Sequence, residues 1–245
     1  MTAMPSVMLL AAGAGQRLYP LTAHCPKALV SVGGRALILW HLEALAQAGV
    51  RRVVINRMQD RLGSLLEQRV RAAQNQCGTL QRLELVFVLQ HSRLGTGGDI
   101  LQALPHLAPA PFVVINADIH TDFPRRSLLA VGSSAHSSRL AHMVLVPPPA
   151  GKTGDVGYHS GRVTVRKASE TSWTFSGMSV LHPDLFASRV ATADKASFFD
   201  LWADVLEPAV QQQRVTAELY EGHWTDAGQH ASLANLRALL ARRMP

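Results

Sequence analysis

Short apolar runs set between stretches of helical period constrain this chain more than any other feature. Runs at residues 7–10, 53–55, 83–89, 112–115 and 143–146 are brief and rich in Val, Ile, Leu or Phe, as strands buried on both faces are. Between them, Leu37, Trp40, Leu42, Leu45 and Ala48 recur at helical spacing after Gly33-Gly34, and Gly49 stands where a helix C-cap is wanted. Residues 58–73 carry Leu62, Leu65, Leu66 and Val70 on one side and arginines on the other. Shorter helical stretches fall at 100–104, 198–206 and 231–240, with further strands at 173–180 and 215–220. This alternation predicts an α/β fold, a mainly parallel sheet flanked by helices. Pro147-Pro148-Pro149 ends one strand, and residues 151–167 alternate Val163 and Val165 with Thr164 and Arg166, which predicts a small β-hairpin insertion. At 245 residues and 47% hydrophobic content, a single domain over 1–245 is expected.

The net charge of +7 favours polyanionic partners. Its arginines are scattered and only 6% of residues are aromatic, so no basic stripe with stacking rings forms and nucleic acid is not expected. Cys25 and Cys77 lack metal or redox spacing, which fits a reduced, cytoplasmic setting. Met1–Ser6 carry no positive charge and the first apolar run breaks at Ala11-Ala12-Gly13, far short of the ~20 residues of a membrane span. No export signal or membrane association is expected, Met4 is an alternative start, and a monomer or homodimer is anticipated.

The first strand runs into Leu10-Ala11-Ala12-Gly13-Ala14-Gly15-Gln16-Arg17-Leu18-Tyr19-Pro20-Leu21-Thr22, and Pro26-Lys27 follows. Small residues after a strand let main-chain N–H groups approach phosphate oxygens with no Cβ in the way. Arg17 can fork over two oxygens and Lys27 supplies a point charge. By themselves the glycines read equally well as a tight turn. A dinucleotide fingerprint fails because Tyr19-Pro20 stand where its third glycine and helix should be, and no Gly-Lys-Ser/Thr follows as in a P-loop.

Gly-x-Gly-x-Arg-Leu-x-Pro-Leu-Thr with Pro-Lys resembles the signature of the sugar-phosphate nucleotidyltransferases, and residues 13–27 match it without a gap. The resemblance implies a Rossmann-like nucleotide-diphospho-sugar transferase fold. It also implies that Leu10, Ala11, Ala12, Gly13 and Gly15 hold a nucleoside triphosphate, with Arg17 and Lys27 as the catalytic cations on its phosphates.

Asp118 lies just past an apolar strand, where ligands of open α/β sheets bind; as a lone residue it reads more readily as a cap. Asn116-Ala117-Asp118 is similar to the family's metal-binding motif, with Ala117 where Gly often sits, and Trp224-Thr225-Asp226-Ala227-Gly228 resembles its second one. The resemblance implies Mg²⁺ held by Asp118 and Asp226. It likewise gives Gln90 and Gly95 the base and Asn116, Gly154, Asp155 and Gly177 the sugar, with UTP and a sugar 1-phosphate as partners. His91, His106, His120, His136, His142 and His159 lack ligand spacing, and Ser92 and Ser176 lack a nucleophile elbow. A sugar phosphate is already ionised at neutral pH, so in-line attack on the α-phosphorus needs no protein nucleophile. A nucleotide-sugar-binding regulatory module is the alternative from outside enzymology.

Overall fold

The computed structural model describes residues 4–107, 109–134, 138–168, 170–191 and 198–243. Its strands are β1 (Val7–Leu10), β2 (Ser31–Val32), β3 (Arg35–Ala36), β4 (Arg52–Met58), β5 (Glu84–Gln90), β6 (Phe112–Asn116), β7 (Ile119–Thr121), β8 (Ala141–Val146), β9 (Val156–His159), β10 (Arg162–Thr164), β11 (Ser172–Leu181), β12 (Val215–Leu219) and β13 (Trp224–Asp226). Its helices are α1 (Leu37–Gln47), α2 (Arg61–Gln76), α3 (Gly95–Ala103), α4 (Arg125–Ser133), α5 (Ala187–Ala191), α6 (Glu207–Gln211) and α7 (His230–Arg243). The chain divides into two compact units, the first comprising residues 9–92, 116–125 and 223–245, the second residues 1–8, 93–115 and 126–222.

In the first unit the strands run β5–β4–β1, with β4 and β5 parallel from Arg52↔Glu84 to Met58↔Gln90. α2 begins at Arg61 because the Asp60 carboxylate accepts from the Gly63 N–H at 2.7 Å. β7 and β13 form a separate antiparallel pair, Trp224 opposite Thr121 and Asp226 opposite Ile119. A cluster of Leu18, Val30, Val32, Leu37, Ala227, Leu233, Leu236 and Leu240, with Trp40 against it, packs the closing helix α7 onto the loop that follows β1. Burying these side chains stabilises the unit by the usual ~25 cal/mol per Å² of apolar surface.

In the second unit the order is β6–β11–β8–β12–β10–β9. Here β8 and β12 are parallel, while β11 is antiparallel to β6, β8 and β9, and β10 to β9 and β12. The sheet structure is therefore mixed, which corrects the mainly parallel expectation: apolar runs report burial but not direction, and β11 returns alongside β6 without a crossover helix. The hairpin read at 151–167 is present as β9 and β10. Two helical readings shift. Helix α3 starts at Gly95 rather than near residue 100, because Gly97 and Gly98 leave room for the Phe199 ring and for Leu94. Residues 198–200 are not helical; Asp200 instead accepts from the N–H groups of Trp202 and Ala203, where a π-helical turn over Trp202–Leu206 begins. Among the described residues no helix is long and apolar enough to cross a membrane. Residues 1–3, which precede the alternative start Met4, lie outside the described residues.

His41 on α1 is enclosed and ties that helix to β7. Its Nε2 donates to the Ile119 carbonyl at 2.8 Å while its Nδ1 accepts from Arg125 Nη2 at 3.3 Å, so one neutral tautomer serves both. Burial first, and the Arg125 guanidinium second, push its pKa down to about 3. The unfolded chain protonates this imidazole near its ordinary 6.5 and the folded chain only near 3, so the neutral form's full stability holds above that ordinary value. It drains as pH falls through this window, at up to about 1.4 kcal/mol per pH unit. Urea denaturation over a pH series should give a flatter dependence for His41→Gln than for the wild type in the same window; an identical slope would remove His41 from this account.

Candidate active site

The residues read from the sequence as nucleotide, cation and metal positions fall, Gly95 apart, in the first unit. β1 ends at Leu10, whose carbonyl accepts the Ala117 N–H at 3.0 Å. Ala11 and Ala12 then both donate to Asn56 Oδ1, at 2.6 and 3.3 Å. Asn56 is fully buried near the end of β4, so a side-chain carbonyl inside the sheet sets where the loop departs. Gly15 takes φ 63°, and its carbonyl accepts both the Leu18 N–H (2.9 Å) and the Thr22 hydroxyl (2.8 Å). A Cβ at Gly15 would lie 2.8 Å from Thr22 Cγ2, so space and backbone both demand glycine.

The tight turn over Gln16–Leu18 sends Leu18 into the core and leaves the Arg17 side chain 60% exposed, its Nη2 3.8 Å from Asp226 Oδ2. A later turn, Lys27–Leu29, buries Ala28 and most of Lys27, whose Nζ pairs with Asp118 Oδ2. Asp226 is held from the other side by the Gly228 N–H, which donates to Oδ1 at 2.7 Å. The Ala227 N–H donates to the Asp118 carbonyl at 3.0 Å, so the two acidic residues sit on bonded stretches of backbone. The exposed Arg17 pair contributes little to stability, whereas the Lys27–Asp118 pair is largely removed from solvent and leaves a costly unpaired charge if one member is lost.

Among the described residues no group of three or more His, Cys, Asp or Glu is placed to hold a metal. His136 lies outside the described residues, and His120 and His223 pair with each other at 3.0 Å, the His120 ring also making a T-shaped contact with Trp40. Asp118 and Asp226 bring two carboxylates, the number Mg²⁺ commonly takes when phosphate oxygens and water complete its shell. The donor set fits Mg²⁺.

Gln90 ends β5 fully buried, its carbonyl accepting from the Gln59 N–H at 2.8 Å. Asn116 ends β6, half-buried. The other readings fall in the second unit. Gly95, at φ 72°, would drive a Cβ to 2.5 Å from the Phe199 carbonyl oxygen. Gly154 lies against the Trp173 backbone, and Asp155 accepts from the Phe175 N–H at 3.0 Å. Gly177, at φ 80°, occupies the register shift of β11 between Phe175 and Ser179. Sequence reading missed Asn56 and gave Thr22 no role of its own; a polar residue closing the run Val53-Val54-Ile55 was the available signal for the first, since a buried amide must be serving a partner.

Fold and site together define a class. The nucleotidyl transferase family model matches residues 6–243, and the chain belongs to that family: it is an enzyme of the sugar-1-phosphate nucleotidyltransferases, which join a nucleoside triphosphate to a sugar 1-phosphate and release pyrophosphate. It is similar to the N-acetylmuramate alpha-1-phosphate uridylyltransferase of Neisseria meningitidis, 33% identical over 241 residues that cover 95% of this chain and 96% of that protein. It is also similar to the catalytic subunit beta of mannose-1-phosphate guanylyltransferase from Danio rerio, at 28% identity, and spans 61% of that longer protein. In fold it resembles a UDP-glucose pyrophosphorylase solved with UDP-glucose (TM-score 0.79, 18% identity, 99% of this chain and 100% of the other). An inositol-1-phosphate CTP transferase from T. maritima is comparably similar (TM-score 0.74, 17% identity, 99% and 98%).

Replacing Asn56 by Ala leaves the Ala11 and Ala12 amides without their acceptor. We expect a loss of about 1–3 kcal/mol in denaturant unfolding together with a drop in turnover. Wild-type stability in Asn56→Ala would show that the loop does not lean on this side chain.

Proposed function

We propose that the chain joins UTP to N-acetylmuramate 1-phosphate, giving UDP-N-acetylmuramate and pyrophosphate with Mg²⁺, in peptidoglycan recycling in the cytoplasm. One catalytic domain over 1–245 carries the reaction. The observation that carries this choice is the likeness to the Neisseria uridylyltransferase along nearly the whole of both chains, against guanylyltransferases matched over about three fifths of their length.

In this reading an oxygen of the sugar phosphate attacks the α-phosphorus of UTP, the bond to the bridging oxygen breaks, and pyrophosphate leaves with the electron pair. Mg²⁺ held by Asp118 and Asp226 would supply charge neutralisation on the phosphates. Lys27 and Arg17, now on those carboxylates, turn to phosphate oxygens when the nucleotide arrives, Lys27 facing the sugar phosphate as well. Because Asn56 engages the amides of Ala11 and Ala12, the phosphates meet the amides of the stretch from Gly13 to Gly15. Leu10, Ala11 and Ala12 form the wall beside the nucleoside. Within the first unit, Gln90 pairs with the uracil edge and Asn116 meets the sugar.

Three measurements test this. Asp118→Ala and Asp226→Ala should each lower turnover by several orders of magnitude with the circular dichroism unchanged, since each ~1.4 kcal/mol of lost stabilisation is tenfold in rate. Near wild-type pyrophosphate release by either would end the metal assignment. Arg17→Lys should cost far more activity than Arg51→Lys at an exposed position, because the fork is lost while the charge stays. A pyrophosphate-release panel crossing UTP, GTP, dTTP and CTP with the 1-phosphates of N-acetylmuramate, N-acetylglucosamine, glucose and mannose should peak at UTP with N-acetylmuramate 1-phosphate. A peak at GTP with mannose 1-phosphate would transfer the chain to the guanylyltransferases.

A further inference from the structure

We infer that Gly228 is a positioning residue for the two phosphate-binding cations, a role open only to a residue without a side chain. The inference rests on the nucleotidyl-transfer reading above. A Cβ on Gly228 would lie 2.6 Å from Asp226 Oδ1, 2.8 Å from Lys27 Nζ and 2.9 Å from Arg17 Nη2. Three charged atoms, two from the loop after β1 and one from the end of β13, thus surround the place where a Cβ would stand. The φ of Gly228 is outside the left-handed region, unlike that of Gly15, so the backbone accepts an L residue here and an added Cβ acts only through the side-chain tips it displaces.

Both nitrogens approach the same point, which puts them within about 6 Å of each other, a separation at which like charges repel unless opposite charge intervenes. Asp118 and Asp226 supply it. Two cations so close can engage one polyphosphate together, and in-line transfer needs both groups held before the reaction begins. A methyl group at position 228 takes that volume. Asp226 cannot retreat freely, because its Oδ1 is bonded to the N–H of Gly228 itself at 2.7 Å. That oxygen, the nearest of the three, must give nonetheless, and the tips of Lys27 and Arg17 must move with it. Gly228 touches no reacting atom in this account and acts through them.

The test compares Gly228→Ala with Gly78→Ala, whose added methyl meets nothing within 4 Å. Gly228→Ala should keep the wild-type circular dichroism and lose at least about a hundredfold in kcat, as does removal of one transition-state contact. Its affinity for Mg·UTP, by calorimetry, should weaken about tenfold, and Gly78→Ala should match the wild type. In a Lys27→Ala background the added Gly228→Ala should cost markedly less affinity than it does alone, since the clash with Lys27 is gone. Full additivity, or a Gly228→Ala enzyme within threefold of wild type, would overturn the inference. Should Gly228→Ala fail to fold, Gly228→Ala/Lys27→Ala is measured against Lys27→Ala, and an equally unfolded double variant overturns it too. NMR of the Lys27 Nζ and Arg17 guanidinium groups separates this claim from the reaction. Shifts displaced in Gly228→Ala uphold the steric role even if the wild type is inert across the substrate panel, and unmoved shifts refute it even if the panel succeeds.

Discussion

The short antiparallel pair of β7 with β13 carries the geometry on which the candidate site depends. Asp118 and Asp226 come from distant parts of the chain and are each flexible to two side-chain torsions. The register that sets Asp226 opposite Ile119, together with the Ala227 amide on the Asp118 carbonyl, fixes their backbones beside one another. His41 braces the same strand from α1 through the Ile119 carbonyl. Lys27 and Arg17 then have somewhere to go: two carboxylates offset two cations that would otherwise repel.

The polar residues are placed by apolar neighbours. Leu18 beside Arg17, Ala28 beside Lys27, Ala117 and Ile119 on either side of Asp118, and Ala227 after Asp226 are all buried. Leu18 and Ala227 belong to one cluster with Leu233, Leu236 and Leu240 of α7. Hydrophobic burial, the dominant favourable term in folding, therefore does the holding, and the charged groups project from segments whose direction is already set. The glycines divide the remaining work by cause. Gly15 answers a left-handed turn and close packing at once, whereas Gly154 answers close packing against the Trp173 backbone.

Much of this was legible in the chain. The buried strands announced themselves through Val, Ile and Leu runs, and the loop from Gly13 to Lys27 through the joint occurrence of small residues, a fork-capable arginine and a lysine. Strand direction was not legible, because a buried apolar run has the same composition whether its neighbour is parallel or antiparallel; hence β11 against β6 and β8 had to be seen. β7 and β13 escaped because three-residue strands are shorter than any period can register. Asn56 escaped for a different reason: it acts across the sheet on Ala11 and Ala12, and nothing local in Val53-Val54-Ile55-Asn56 names its partner. The helical reading at 198–200 failed because Phe199 turns inward against Gly97, a tertiary contact that overrides local pattern.

Mating each cation to a carboxylate also shapes what an anion senses before contact. Opposite charges set side by side cancel at long range, so their combined potential falls away as a multipole, faster than that of a bare ion and within a few ångströms of the loop. From farther out, a polyanion meets the excess positive charge of the whole chain, +7, spread over scattered arginines and screened over a Debye length of about 8 Å in physiological salt. On the proposed reading, capture and orientation fall to different parts of the surface: the diffuse arginine field would govern encounter and be ionic-strength sensitive, while the tetrad of Arg17, Lys27, Asp118 and Asp226 would act once the ligand has arrived, by exchanging partners.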